Sequence, residues 1–258
     1  MADLPLLLLH AFPVDARLWN PVRAPLSARL RLITPDQRGL GRTPLPETGR
    51  EPSLDDAARD VVALLDRLQL PQVVLGGCSM GGYLTMAVLR HAPDRVAGLV
   101  LIDTKMTADA PEAADNRHRI AARADEEGVS GWLAESMLPN LLGEKAHPDV
   151  VETVRDLIDS QPPAGVAWAA RAMAARPDSA DVLAAARVPA LVVVGEEDSL
   201  TPPGAARAMT ETLPDAELVV LPGVGHLTPL EDPDGLSEAI LRWWDAHFEQ
   251  PDARRRDV

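Results

Sequence analysis

The stretch Val73-Val74-Leu75-Gly76-Gly77-Cys78-Ser79-Met80-Gly81-Gly82-Tyr83 constrains the fold more than any other part of this chain. Its first half is apolar and β-branched, the composition of a strand buried on both faces. Its second half opens a helical pattern over residues 80–91. Between them a Gly-x-Ser-x-Gly pattern leaves no residues for an ordinary loop. A strand that passes straight into a helix has to turn sharply. Flanking glycines let the two elements cross closely, and the residue on the turn projects its side chain away from the sheet. Ser79 is therefore the candidate nucleophile. The five-residue pattern alone arises by chance in roughly one chain in ten of this length, so its weight depends on partners elsewhere.

The rest of the chain repeats the same alternation. Apolar runs at 6–9, 30–34, 73–75, 99–102, 190–194 and 218–221 each enter a loop carrying Gly, Asp or His, and amphipathic stretches at 53–68, 80–91, 203–213 and 233–248 lie between them. Short buried runs separated by helices predict an α/β fold with a mostly parallel sheet. Ser53 before Leu54-Asp55-Asp56 predicts a helix start, with a side-chain cap and acidic first-turn residues suited to the helix dipole. From 104 to 187 the strand signal stops and the chain becomes Ala-rich, charged and helical in period. The expected organisation is a core made of 1–103 and 188–248, a helical cap inserted at 104–187, and a disordered tail at 249–258. Trp132, Met137, Leu138 and Trp168 are the cap residues expected to line a mainly apolar pocket, with Leu141, Leu142 and Met173 adding apolar mass.

Composition excludes several functions. The 258 residues carry a formal charge of −14, and the one basic cluster, Arg254-Arg255-Arg256, is diluted by Glu249, Asp252 and Asp257. Nucleic acids and anionic membranes are poor partners for such a chain. A single cysteine, Cys78, offers no intrachain disulfide, and the apolar opening lacks the basic region and the length of a signal peptide. A cytoplasmic setting is expected. No His/Cys/Asp cluster has metal-ligand spacing and no dinucleotide-binding glycine loop is present, so neither metal nor cofactor is expected.

A serine hydroxyl needs an imidazole to take its proton and a carboxylate to orient that imidazole. In a parallel sheet all three must stand beyond the C-terminal strand ends. The run Val192-Val193-Val194-Gly195-Glu196-Glu197-Asp198 leaves a strand for a loop ending in Asp198, the expected acid. Leu218-Val219-Val220-Leu221-Pro222-Gly223-Val224-Gly225-His226 does the same for His226, the expected base. Asp103, Glu196 and Glu197 remain alternative acids. His91 and His247 fall on helical stretches and His118 and His147 in the cap, where solvated surface positions are expected. His10-Ala11-Phe12-Pro13 follows the first strand. By position, the backbone N–H groups of Phe12 and Met80 would receive the oxyanion of a tetrahedral intermediate, while His10 reads as a structural hydrogen-bonding residue.

With these segments the chain resembles the α/β-hydrolase superfamily, in particular the small bacterial esterases and enol-lactonases related to 3-oxoadipate enol-lactonases and cofactor-free haloperoxidases. The resemblance spans nearly the whole chain. It rests on residues 10–13 and 77–82, on Asp36-Gln37-Arg38-Gly39-Leu40-Gly41-Arg42-Thr43, a structural turn that Arg38 is expected to tie down with its several donors, on 195–202 and on Gly223-Val224-Gly225-His226. It implies the order Ser79, Asp198, His226 for nucleophile, acid and base, and hydrolysis of a small or medium ester or lactone. Two departures stand out. The first strand starts almost at Met1, so about six strands are expected, without the family's N-terminal pair, and Ala11 stands where the family often has Gly. Serine rather than aspartate or cysteine at the turn argues against dehalogenase, epoxide-hydrolase and dienelactone-hydrolase chemistry. Perhydrolysis through the same acyl-enzyme, and a ligand-binding protein on the same scaffold, are the competing readings. Arg117, Arg119, Arg123 and Arg171 are the candidates for holding a substrate carboxylate, with no choice among them.

Overall fold

Six short apolar segments pair side by side, in the order β2-β1-β3-β4-β5-β6, with every neighbour parallel. They are β1 (Leu6–Leu9), β2 (Leu32–Ile33), β3 (Val73–Cys78), β4 (Val96–Ile102), β5 (Ala190–Gly195) and β6 (Ala216–Leu221). The molecule, a computed structural model, describes residues 4–47 and 49–249; the expected tail beyond Glu249 lies outside the described residues. β1, β3 and β5 are buried along their whole length, β4 nearly so, whereas the edge strands β2 and β6 are mostly half-buried or exposed. That gradient follows from helices covering both faces of a parallel sheet, and it explains why the central strands read as unbroken apolar runs.

Register carries this order to the functional edge. Cys78 stands opposite Ile102 and Gly195 opposite Leu221. The residues that follow, Ser79 beside Asp103 and the 196–198 loop beside 222–226, therefore emerge together at the C-terminal ends of the strands, where ligands bind in open α/β sheets.

Among the described residues the helices are α1 (Asn20–Ser27), α2 (Leu54–Arg67), α3 (Met80–His91), α4 (Pro111–Glu127), α5 (Leu133–Leu141), α6 (Pro148–Asp159), α7 (Pro163–Ala174), α8 (Ala180–Ala184), α9 (Pro203–Thr212), α10 (Thr228–Glu231) and α11 (Pro233–His247). Ser53 Oγ accepts from Asp55 N–H at 3.2 Å and caps α2 as its sequence predicts. The segment between β4 and β5 is helical, α4 packing against α7, and its buried residues join the same apolar cluster as those of the sheet. None of the described helices is long and apolar enough to cross a membrane.

Two local differences from the sequence reading have plain causes. The 30–34 run yields only a two-residue strand, because Leu30 N–H is taken by Leu26 O at 2.8 Å in the turn that ends α1. Arg38 does not tie its own glycine turn. Its Nε and Nη2 instead fork onto Asp60 of α2 at 2.6 and 2.7 Å, while Asp36 accepts from Ala16 and Arg42 N–H.

Candidate active site

Ser79 sits between β3 and α3 with φ 54° and ψ −112°, a conformation that costs a non-glycine residue about 1–3 kcal/mol. The surroundings hold it there. Its N–H donates to Ile102 O at 2.9 Å, and its carbonyl accepts from Gly82 N–H at 2.9 Å and from Thr104 Oγ at 2.8 Å. Gly77 and Gly81 permit the crossing: a methyl on Gly77 would strike the Gly81 backbone, and one on Gly81 would strike the Leu9 carbonyl.

His226 Nε2 lies 2.8 Å from Ser79 Oγ, and His226 Nδ1 lies 2.8 Å from Asp198 Oδ2. Both partners of the second contact are buried. An ionised carboxylate only accepts, so Nδ1 carries the proton and Nε2 is left to accept from the serine hydroxyl. Burial works against a charged His226, but the hydrogen bond and charge of Asp198 outweigh it and raise the imidazole above its ordinary pKa. Burial likewise opposes ionisation of Asp198. Donors on His226 and Thr201 overcome it and hold the carboxyl below its usual range. Asp198 Oδ1 takes the N–H groups of Leu200 and Thr201, both at 2.9 Å, and Thr201 Oγ1 donates to Oδ2 at 2.6 Å. The Asp198 carboxylate is thus fixed by three donors besides the histidine.

The alternative acids are occupied elsewhere. Asp103 accepts from Gly195 N–H at 3.0 Å and Thr228 N–H at 3.1 Å, tying the β5 end to the histidine loop, and burial pushes its carboxyl up to about 8. Glu196 accepts from Gly223 N–H and Glu197 from Glu144 N–H. Among the other histidines, His91 contacts Asp55, His247 contacts Glu217, His147 caps α6, and His118 is exposed on α4. His10 is structural. Gln37 N–H donates to its Nε2 at 2.9 Å, leaving Nδ1 to donate to Ala11 O, and burial lowers its pKa. Cys78 points away from the serine into the core, near Asp103 and the His226 carbonyl, and burial raises its thiol pKa well above the ordinary value.

A cavity of about 320 Å³ opens onto Ser79 and His226, and Phe12 lines it. Among the described groups the N–H donors of Phe12 and Met80 have no hydrogen-bond partner. Of the four cap residues expected at the pocket, only Met137 reaches it. Trp132 packs half-buried against the apolar core instead: its Nε1–H donates to Gly128 O at 2.8 Å and the Arg123 guanidinium lies 4.2 Å over its ring. Trp168 stacks beneath Arg38, 5.5 Å from the ring centroid, and Leu138 packs against the apolar core. The expected apolar pocket is also corrected. Lys105, Asp109, Asn116, Arg117, Ser136, Asn140 and Ser199 line it together with Ile120, Leu141 and Met173. Helical spacing marked apolar residues, but which face of each helix looks inward depends on packing that spacing does not encode.

Three supporting residues had no expected role. Thr201 and Thr104 hold the Asp198 carboxylate and the Ser79 carbonyl. Glu231 accepts from Gly143 N–H at 2.7 Å, Gly225 N–H at 3.1 Å and Leu227 N–H at 3.4 Å, while His226 N–H donates to Leu141 O at 3.1 Å. The loop that carries His226 is thereby strapped to the end of α5. Thr201, three residues past a candidate acid, carried the local signal of a side-chain turn; Glu231 carried none.

A parallel sheet whose central strand passes through a strained serine into a helix is the architecture of the α/β hydrolases. Residues 5–233 match the model of the alpha/beta hydrolase fold family, and the chain belongs to that family. The malate-bound structure of a thermophilic esterase from Thermogutta terrifontis is 43% identical, with a TM-score of 0.90, over 94% of this chain and 90% of that one. The enol-lactonase from Burkholderia xenovorans LB400 is 26% identical with a TM-score of 0.84, over 94% and 92% of the two chains. The dihydrolipoyllysine-residue acetyltransferase component of the acetoin cleaving system of Pseudomonas putida is 30% identical over 94% of this chain. This chain spans 64% of that protein's length.

Proposed function

We propose that this protein hydrolyses a carboxylic ester or lactone through an acyl-enzyme on Ser79. The reading rests on one observation above all, the unbroken hydrogen-bond chain from Ser79 Oγ through His226 to Asp198. Likeness to an esterase and an enol-lactonase supports the same chemistry. His226 takes the serine proton as Oγ attacks the carbonyl carbon, and Asp198 stabilises the imidazolium so formed. The Phe12 and Met80 N–H groups receive the charge on the carbonyl oxygen, which they do without reorganising because the backbone fixes them. His226 then protonates the leaving alkoxide, and in the second half activates water against the acyl-enzyme. The 104–187 segment acts as the cap that shapes the substrate site, with Met137 and Leu141 on its inner face.

The test is a panel of aryl esters and lactones of graded chain length, run on the native protein and on Ser79→Ala, with a fluorophosphonate label read by mass spectrometry. Activity lost in Ser79→Ala and a label on Ser79 are expected. Retained hydrolysis by purified Ser79→Ala would overturn the reading. Because only neutral His226 can accept the serine proton, activity should rise with pH through an apparent pKa above about 6.5. A fall in rate between about pH 5 and 8, on a buffer-stable ester, would rule out His226 as the base.

A further inference from the structure

The cavity that holds Ser79 and His226 also carries a charged group that ester cleavage leaves unused. Lys105, Asp109 and Arg117 line it, and Arg176 stands behind them. The Asp109 side chain is 1% exposed and accepts from Arg117 Nε and, at 2.8 Å, from Arg176 Nη2. Burial opposes its ionisation, but these arginines hold its carboxyl down at about 2. Arg176 is part of the framework: it donates to the carbonyls of Met173 and Thr107 at 2.9 and 3.0 Å and lies 3.9 Å over the Tyr83 ring.

Lys105 and Arg117 are placed differently. Among the described groups the Lys105 ammonium makes no hydrogen bond, its nearest carboxylate oxygen being Asp109 Oδ1 at 3.8 Å. Arg117 uses only Nε, which leaves the two terminal nitrogens of its fork without a partner among the described groups. Both side chains are only about a quarter exposed. Three cations thus share a single carboxylate, two of them on the cavity wall and Arg176 behind it, leaving a local excess of two positive charges in a chain whose net charge is −14. Burial disfavours the Lys105 ammonium. Asp109 opposes this, but Arg176 and Arg117 add to it, and the pKa falls below the ordinary lysine value. Half-buried cations in excess of their counter-charges are costly until an anion meets them, and a planar guanidinium fork matches a carboxylate in shape as well as charge.

Resting on the ester-hydrolase reading, we propose that Lys105 and Arg117 form a carboxylate-binding subsite, so that the preferred substrate is an ester or lactone bearing a second, free carboxylate. The acyl centre would sit at Ser79 and the free carboxylate at the Lys105–Arg117 wall of the same cavity. Distance between the two functions then selects chain length.

The experiment compares monoethyl with diethyl esters of succinate, glutarate and adipate, on the native protein and on Lys105→Met and Arg117→Gln. For at least one chain length the half-ester should exceed the diester in kcat/KM by about tenfold or more, and each variant should cut that ratio at least about fivefold, chiefly through KM. The ratio cancels general effects of a variant on the catalytic centre, and Lys105→Met, which breaks no hydrogen bond, covers the case of a misfolded Arg117→Gln. A half-ester to diester ratio at or below one for every chain length overturns the subsite while leaving the hydrolase reading standing. So does a ratio that neither variant changes. Calorimetric binding of adipate to the native protein separates the two readings further. Adipate bound by the native protein and lost in Lys105→Met, with neither ester cleaved, keeps the subsite and discards the hydrolase. Neither binding nor cleavage discards both.

Discussion

The sheet edge and the helical segment between β4 and β5 face each other across one cavity, yet they are built by different rules. At the sheet edge Ser79, Asp198 and His226 stand within a few residues of a strand end, so parallel pairing brings them to one edge and short loop contacts fix their final positions. Across the cavity, Lys105, Asp109 and Arg117 belong to the start of the helical segment, and Arg176 comes from beyond its fourth helix, about 60 positions further along. They meet only because α4 packs on α7. Local order along the chain gathers the first group, whereas tertiary packing alone gathers the second.

Substitutions that break the first side should act on rate, and those on the second side on stability or discrimination. Ser79→Ala removes the proposed nucleophile and should lower kcat by about 10,000-fold or more on any cleaved ester, measured with a chromogenic substrate and active-site titration. Asp198→Asn should lower kcat between about 1,000- and 10,000-fold. It should also move the acid limb of the pH profile downward, since the imidazolium loses the charge that raises its pKa. An unmoved limb would mean that Asp198 does not set the His226 titration.

Asp109→Asn addresses the other side, and its main readout is denaturant unfolding. With a folded pKa near 2 against an ordinary 3.8, the Asp109 carboxylate binds fewer protons folded than unfolded. Its stabilisation, about 1–2 kcal/mol, is therefore present above roughly pH 4 and lost as the pH falls towards 2. The native protein should be more stable than the variant at pH 7, with the gap narrowing through that window. A gap independent of pH would show that packing, not charge, is what the substitution removed. The smallest effect belongs to Thr201→Val, which deletes a donor to Asp198 Oδ2. A severalfold drop in kcat and a slight upward shift of the acid limb are expected, opposite in sign to Asp198→Asn, because Asp198 becomes a better acceptor for His226.

The sequence was legible where one residue's neighbours decide its role. Six strands could be read as apolar runs, and the register that gathers their ends follows from parallel pairing. The helix starting at Leu54 could be read from its Ser53 cap. Asp198 could be chosen over Asp103 only in part, since both end strands; the structure separates them by what their oxygens accept, Asp103 serving Gly195 and Thr228. The pocket was read least well. Trp132 and Trp168 are large and apolar, and size alone placed them at a binding site, yet both are covered by arginines from outside the cavity. In their place stand polar side chains whose inward direction is set by helix rotation, a quantity that composition does not carry.

The three backbone N–H groups gathered by Glu231 come from two places, Gly143 just past α5 and Gly225 and Leu227 on either side of His226, and the His226 N–H itself holds the last carbonyl of α5. The cavity wall and the His226 loop therefore share one anchor. The end of α5 and the backbone that carries the imidazole are thus held by one carboxylate and one carbonyl, so a displacement of either would load the bonds that seat the other.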